Sequence, residues 1–334
     1  MSDGGSRPSG PPGEDRGAPH GEGDRPAGGR IVVVGSINMD LVVRCHEMPQ
    51  PGQTLTGHDL REMHGGKGAN QAVAAARLGA DVEMIGRVGD DAFASRLLDG
   101  LRQHGVGVRA VRRTPGISSG IAIIHVDDSG ENAITIVAGA NGRLTPDDIG
   151  EGPASIANAD LVLLQLEIPT DTVLAVIDRC RRHGTPVMLD PAPAPPKPFP
   201  ALFRVDYLCP NEDEAVRLTG RPIDSDASAI AAARRLVELG AGHVLLTRGR
   251  HGVVAADRQG RAETLPAPRV RAVDTTAAGD AFAGAFAARL VRGDDWLDAA
   301  SFAVNAGAHA ATIPGAQPAM PDEQAVDRLR LQNL

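Results

Sequence analysis

The chain of 334 residues has a hydrophobic content of 42%, enough to bury a large core, and we expect one large domain. Its net charge of −8 argues against a nucleic-acid-binding surface, because such surfaces carry a basic patch. No apolar run approaches the ~20 residues that a membrane-spanning helix needs, and the N-terminal sequence lacks a signal-peptide pattern. The three cysteines have no metal-site spacing, so we expect reduced thiols and a cytoplasmic protein.

The first 29 residues are rich in Gly, Pro and charged residues and nearly free of aliphatic side chains. Such a segment cannot bury enough apolar surface to offset its ordering entropy. We therefore predict a disordered tail over 1–29 and a folded domain over 30–334. The β-branched run at 31–34 predicts a buried strand. Asn38 and Asp40 follow it, where open α/β sheets bind ligands, although an Asx-rich turn explains them equally well.

Strands and helices alternate from residue 81 onward, which predicts parallel strands with helices on both faces. Four further segments, at 41–45, 54–61, 120–126 and 132–137, have strand character and fit ordinary hairpins of the main sheet. A hairpin is predicted for 252–256 and 261–265. The predicted strands lie at 82–88, 108–111, 161–164, 186–189, 205–208 and 243–247, and the helices at 69–78, 91–104, 146–157, 170–182, 211–219, 227–239, 294–312 and 322–331.

The stretch 273–284, VDTTAAGDAFAG, predicts a tight turn of small residues that enters an Ala-rich helix ending near Arg292. The backbone N–H groups of Ala277, Ala278 and Gly279 lie at this helix start, where donors lack intrahelical partners, so the turn suits a phosphoryl group. Asp280 follows directly and is placed to accept a proton from an attacking hydroxyl. The alternative is an acidic residue that merely favours the helix dipole.

A second glycine-rich stretch, GGKGAN at 65–70, opens a predicted helix. Its glycines allow close backbone approach, so Lys67 and Asn70 can face one small polar ligand, unless Lys67 is only a solvated charge. Glu167 follows the strand at 161–164. Asn211 and Glu214 lie three residues apart at a helix start, where capping alone would also explain them. The stretch is not a P-loop, because GxxxxGK[ST] is absent.

Together these motifs resemble the PfkB family of carbohydrate kinases, and the finer pattern is similar to its ribokinase branch. GGKGAN matches the first family signature and 274–286 the second, while GSINMD at 35–40, QLE at 165–167 and PNEDE at 210–214 follow in the family's order. The resemblance covers the chain from about Arg30 onward. It implies a three-layer, Rossmann-like α/β sandwich with a mostly parallel central sheet, plus a small β-sheet lid near 41–61 and 120–137.

The resemblance implies that ATP phosphorylates D-ribose, with Asp280 as general base and the amides of Ala277, Ala278 and Gly279 as the anion hole. It also implies Mg²⁺ as a cofactor and a homodimer formed through the lid strands. The sugar would be bound by Asn38, Asp40, Gly66, Lys67, Asn70, Glu167 and Asp280. The nucleotide would be bound by Asn211, Glu214, Thr247, Gly249, Gly252 and Gly279, of which Asn211 and Glu214 would serve Mg²⁺ and the phosphates.

The resemblance further implies activation by K⁺. Two departures bear on this ion: Ala319 stands where the branch has a hydroxyl residue, and Ile313-Pro314 replaces a basic pair.

Fructokinase and nucleoside kinase activities remain alternatives, as does a sugar-binding regulator without catalysis. The aromatic content of 2% disfavours a nucleoside, whose base calls for apolar or aromatic contacts. For the K⁺ site, the positions that match the ion-binding residues of the branch are Asp274, Thr276, Ala310, Ile313, Gly315 and Ala319.

Overall fold

The computed structural model describes Met1 and residues 29–150 and 154–332. The predicted tail therefore lies almost entirely outside the described residues. The described strands are β1 Arg30–Val34, β2 Asn38–Arg44, β3 Asp59–Gly65, β4 Asp81–Val88, β5 Gly107–Arg113, β6 Gly120–Val126, β7 Asn132–Val137, β8 Leu161–Leu164, β9 Val187–Leu189, β10 Tyr207–Leu208, β11 His243–Thr247, β12 Val253–Asp257 and β13 Ala262–Leu265. The α-helices are α1 Lys67–Arg77, α2 Ala92–Gln103, α3 Thr170–His183, α4 Glu212–Thr219, α5 Asp226–Leu239, α6 Ala278–Val291, α7 Trp296–Ala310 and α8 Glu323–Gln332.

A nine-stranded sheet forms the centre of the described part of the chain, in the order β13-β12-β11-β10-β9-β8-β1-β4-β5. The strands from β11 to β5 pair in parallel, and β12 and β13 add an antiparallel hairpin, as predicted. In β1, Ile31 and Val33 face a core built with α1, α6 and α7, whereas Val32 and Val34 face a core built with α3 and α5. The continuous β-branched run is therefore buried on both faces, which confirms the predicted layered α/β architecture.

A second sheet, in the order β3-β2-β6-β7, is separate from the first. The four additional segments therefore form a small sheet of their own and are not hairpins of the main sheet. The strand predicted at 54–61 is misplaced, because β3 pairs with β2 from Asp59, opposite Arg44, to Gly65, opposite Asn38. Its sequence DLREMHG alternates poorly and has only one buried residue, Gly65, so periodicity gave a weak signal.

The helix predicted over 146–157 is wrong for the described residues of that range. Pro146–Asp148 and Ile156–Asn158 form only short 3-10 helices. Gly150 and Pro153 lie between them in the sequence, and both residue types disfavour a continuous helix. None of the described helices is both long and apolar enough to cross a membrane.

Helices α1 and α6 pack unusually closely, and this contact brings the two glycine-rich stretches together. A Cβ atom on Gly284 would lie 2.5 Å from the Cβ of Ala74 and 2.6 Å from the carbonyl oxygen of Gln71. Only glycine leaves room for this approach. The first turns of both helices therefore lie side by side, with Asn70 of α1 bonded to Asp280 of α6.

Candidate active site

Asp280 lies buried in the first turn of α6, and three donors from α1 surround its carboxylate. Nδ2 of Asn70 donates to Oδ2 at 2.9 Å, and Nε2 of Gln71 donates to Oδ1 at 3.1 Å. Nζ of Lys67 lies 4.0 Å from Oδ1. The structure thus joins the two stretches that sequence analysis selected independently.

A buried chain of side chains behind Asp280 was missed from the sequence. Nε2 of Gln165 donates to Oε1 of Gln71 at 2.6 Å, and Nε2 of Gln71 also donates to Oδ2 of Asp190 at 2.9 Å. Nζ of Lys67 lies 3.5 Å from the same Asp190 oxygen. Asp190 directly follows β9, so the rule that placed Asn38 at a strand's end also identifies this position.

The charges in this cluster fix the state of Lys67. Burial disfavours its ammonium group, but the surrounding carboxylates, led by Asp190 and Asp280, outweigh burial and raise the pKa of Lys67. Burial holds the pKa of Asp190 above its usual range, although the Lys67 charge opposes this. Lys67 therefore remains a cation among acids.

The first predicted sugar-binding residue, Asn38, is held by a residue that sequence analysis did not select. Nδ2 of Asn141 donates to Oδ1 of Asn38 at 2.7 Å, while Oδ1 of Asn141 accepts from the amide of Ile37 at 3.0 Å. A Cβ atom on Gly120 would lie 2.1 Å from Asn38 Oδ1. Asn141 lies in a 3-10 helix far along the chain, and no local pattern marks it.

Asp40 is buried near the other acids of the site. Burial, and after it the charges of Glu167 and Asp280, raises the pKa of Asp40 to about 7. A Cβ atom on Gly65 would lie 2.0 Å from Oδ2 of Asp40, so this glycine makes room for the carboxyl group. Gly66, a predicted sugar-binding residue, connects β3 to α1 and has φ 89°. Glycine adopts this conformation without strain, so the backbone turn also requires it.

Glu167 links the end of β1 to the start of α1. Its Oε2 accepts from Oγ of Ser36 at 2.5 Å and from the amide of Lys67 at 3.2 Å. The predicted sugar-binding acid therefore faces the same glycine-rich turn as Asp40 and Lys67.

Asn70 has an unused acceptor. Its side chain is buried, its Nδ2 is bonded to Asp280, and its Oδ1 has no hydrogen-bond partner among the described residues. A buried polar atom without a partner is costly, and a ligand hydroxyl would satisfy it. This orphan acceptor lies on the residue that orients Asp280.

The turn before α6 is partly open. Gly279 is exposed, and a Cβ atom there would meet nothing within 4 Å. Ala277 is buried, and the amide of Ala278 donates to the Thr275 carbonyl at 3.2 Å. One of the three amides predicted for an anion is thus engaged by the turn itself.

The predicted nucleotide residues Asn211 and Glu214 form a reciprocal capping box at the start of α4. Oδ1 of Asn211 accepts from the Glu214 amide, and Oε2 of Glu214 accepts from the Asn211 amide, both at 2.8 Å. Burial raises the pKa of Glu214, against the hydrogen bond from Asn211 and the charge of Lys67. The acid therefore faces the same interior as Lys67 and Asp190.

The other predicted nucleotide loop lies beside this cap, because Thr247 and Asn211 form a parallel bridge. Gly249 and Gly252 have φ 51° and 81°. A Cβ atom on Gly252 would lie 1.9 Å from the Leu265 carbonyl oxygen, so the hairpin itself requires this glycine. Gly249 has open space beside it and is the better candidate for ligand approach.

The predicted ion-binding residue Asp274 joins two loops. Its Oδ1 accepts from the amide and hydroxyl of Thr276 at 3.0 and 2.6 Å, and its Oδ2 accepts from the Gly315 amide at 2.9 Å. Burial opposes the ionised form, but these hydrogen bonds outweigh it and lower the pKa of Asp274. The Ala310 carbonyl accepts from the Ile313 amide at 3.1 Å, and Ala319 is buried without a hydroxyl group.

Comparison with known proteins identifies the family of the chain. The family model for the pfkB family carbohydrate kinases matches residues 29–323. The chain is 40% identical over 300 residues to a ribokinase of Bacillus subtilis, covering 90% of this chain and 98% of that protein. It is 39% identical over 292 residues to a deoxyribokinase of Salmonella typhi, covering 87% and 95%.

Among solved structures, an Arabidopsis thaliana ribokinase complexed with ribose and ATP superposes with a TM-score of 0.82 and 33% sequence identity, covering 90% of this chain and 98% of that one. The matched family model spans both glycine-rich stretches, at 65–70 and 273–284. The chain is a ribokinase-type sugar kinase and belongs to the pfkB family of carbohydrate kinases.

Proposed function

We propose that this kinase transfers the γ-phosphoryl group of ATP to the 5-hydroxyl of D-ribose. The observation that carries the proposal is the carboxylate of Asp280, which Asn70 and Gln71 orient beside the orphan acceptor of Asn70. The similarity to a ribokinase whose structure was solved with ribose and ATP supports both substrates.

Asp280 acts as the general base in this proposal. It accepts the proton of the attacking hydroxyl as the oxygen bonds to the γ-phosphorus and ADP leaves in line. Asn70 binds a sugar hydroxyl through Oδ1 while it orients the base through Nδ2. Because one side chain would contact both groups, the reacting hydroxyl is held near the carboxylate before transfer begins.

Three further groups would hold the sugar on the side of the smaller sheet. Asn38 is oriented by Asn141, and Asp40 and Glu167 supply acceptors for neighbouring hydroxyls. Gly66 and Lys67 lie at the turn between these acids. Lys67 keeps its charge beside Asp190 and Asp280, and so offsets the repulsion among the acids.

The transferred phosphoryl group would lie at the start of α6, where Gly279 leaves open space and the helix dipole favours negative charge. The donor nucleotide would contact Asn211 and Thr247, which form a parallel bridge, and Gly249, which has open space beside it. Mg²⁺ would be held near Glu214 largely through water, because both oxygens of this carboxylate already accept hydrogen bonds from Asn211. When bound, Mg²⁺ neutralises charge on the phosphates.

A deoxyribokinase activity is the second candidate, because the Salmonella typhi deoxyribokinase is as similar as the ribokinases. The two sugars differ by the 2-hydroxyl alone. Fructokinase and nucleoside kinase activities remain alternatives within the family. A sugar-binding regulator without catalysis is disfavoured by the oriented base at the open helix start, because pure binding uses neither.

The test is an assay of ADP release with D-ribose, 2-deoxyribose, fructose and nucleosides at equal concentrations. We expect the highest kcat/KM for D-ribose. A higher value for 2-deoxyribose would replace the proposal by the second candidate. No turnover with any of these substrates, combined with sugar binding by calorimetry, would indicate a regulator.

A further inference from the structure

Three side chains come together at the end of the smaller sheet where the parallel strands β2 and β6 terminate. These two strands pair in parallel, with Arg44 opposite Val126. His46 and Asp128 each follow two residues after this last pair, so both leave the sheet at the same end. His58 precedes β3, which pairs with β2 from Asp59 opposite Arg44, and its amide donates to the Arg44 carbonyl at 2.9 Å.

Strand register therefore brings together residues from three connections of the sheet. Nδ1 of His46 lies 2.8 Å from Oδ2 of Asp128, and the rings of His46 and His58 have centroids 5.0 Å apart. Each of the three side chains offers one ligand atom, and these atoms lie within 4.8 Å of one another. All three residues are exposed, so an ion can reach them.

The donor set is two imidazole nitrogens and one carboxylate oxygen. Imidazole suits Zn²⁺ and its transition-metal neighbours, whereas Mg²⁺ and Ca²⁺ prefer oxygen ligands alone. Metal–ligand distances of about 2.0–2.2 Å in a tetrahedral site require ligand atoms about 3.4 Å apart. The present separations need only side-chain rotation to reach that value, and a water would complete the set.

We propose that His46, His58 and Asp128 bind one transition-metal dication of the Zn²⁺ type. The ion links the connection 45–58 to the turn between β6 and β7, and so fastens the two hairpins of the smaller sheet at their outer end. A surface ion pair between His46 and Asp128 would contribute little to this end of the sheet by itself. The site is separate from Asp280 and does not depend on which sugar the enzyme phosphorylates.

The test is isothermal titration of the untagged, chelator-treated full chain with Zn²⁺ at neutral pH, with millimolar Mg²⁺ present throughout. We expect one equivalent of Zn²⁺ per chain. His46→Ala, His58→Ala and Asp128→Asn should each weaken binding by more than about 10-fold, since even groups outside the ligand set commonly change affinity by that factor. His183→Ala, which removes an exposed histidine of α3, should bind Zn²⁺ as the wild type does.

A second readout follows the sheet itself. Protease cleavage within 45–58 should slow when Zn²⁺ is added to the wild type and should not slow in His58→Ala. Absence of stoichiometric binding would overturn the proposal, and so would unchanged affinity in both histidine variants. If Zn²⁺ bound only when Mg²⁺ was left out, the two ions would share one site, and this would exclude a nitrogen-ligated site. Half an equivalent per chain would place the ion between two copies and exclude the intrachain link.

Discussion

Asn70 donates a hydrogen bond from its side chain to Asp280, 210 residues further along the chain, at 2.9 Å. The contact exists because α1 and α6 approach at Gly284, where any side chain would collide with Ala74. The amide fixes one carboxylate oxygen and Gln71 fixes the other, so the base has a defined orientation before a substrate arrives.

Asp280→Asn should lower kcat by roughly 10²–10⁴, because the variant keeps the volume of the side chain and loses the proton acceptor. Sugar affinity, measured by calorimetry without ATP, should change much less. Asp298→Asn, an exposed position in α7, is the control and should keep wild-type kcat. Retention of more than half of kcat by Asp280→Asn would contradict its role as general base.

The raised pKa of Asp40 makes stability depend on pH. The carboxyl has a pKa of about 7 in the folded chain against an ordinary value of 3.8, so between these values the folded state binds a proton that the unfolded state has released. The free energy of unfolding therefore falls as pH rises through this window, and the whole penalty is present above pH 7.

Asp40→Asn should remove that penalty. We expect its Tm to exceed that of the wild type by on the order of 5 °C at pH 8 and to match it near pH 4. The same variant should raise KM for the sugar roughly 10-fold, because a charged hydroxyl acceptor is lost. Equal Tm differences at both pH values would show that the pKa of Asp40 is not raised in the folded chain.

The sequence predicted the layers and selected candidate site residues that the fold brings together, because those features have local causes. The run at 31–34 is buried on both faces, and the helix start at Ala278 follows from the small-residue turn. Gln71 and Asn141 were missed because their importance comes from tertiary contacts. Gln71 meets Asp280 only through the helix contact at Gly284, and Asn141 meets Asn38 beside Gly120.

The strand β3 shows a different limit. Its sequence is mostly polar and only Gly65 is buried, so neither periodicity nor composition distinguished residues 59–65 from a loop. Pairing with β2 over seven residues decides the strand's position, and this register cannot be read from one segment alone.

The smaller sheet should mediate a homodimer. Its edge strand β7 is exposed along its length, including Ile134, Ile136 and Val137, and an exposed apolar edge calls for cover. We expect light scattering to show a dimer at micromolar concentration and a monomer for the double variant Ile134→Lys, Ile136→Lys. Leu331→Lys, at an exposed apolar residue of α8, should remain a dimer. A wild-type monomer would contradict the proposal.

Removal of residues 2–28 should leave kcat/KM within about twofold, well below the 1.4 kcal/mol that a tenfold change represents. The composition of this segment cannot support a packed core, and no motif of the kinase falls within it. Gly29 is retained because its carbonyl accepts from the Asp81 amide at 3.0 Å. A tenfold loss of kcat/KM would show that the segment contributes to the site.

Activation by K⁺ is the prediction that depends most on the loop geometry around Asp274. This carboxylate links the loop before α6 to the loop at Gly315. The backbone carbonyl of Ala310 lies at the end of α7, and that of Ile313 lies in the loop that leads to Gly315. A monovalent ion held there would fix the turn whose amides face the phosphoryl group, and so raise kcat without touching the substrate. We expect higher initial rates in K⁺ than in a bulky organic cation at equal ionic strength, with Mg-ATP and ribose saturating.

Two variants separate the ion from the structural link. Asp274→Asn keeps an acceptor for Thr276 or Gly315 but loses the charge, and should lose most of the K⁺ activation. Ala319→Ser adds a hydroxyl where the chain has only a buried methyl group, and should lower the K⁺ concentration that gives half-maximal activation. Equal wild-type rates in the two buffers would show that Asp274 serves here only to join the loops of Thr276 and Gly315.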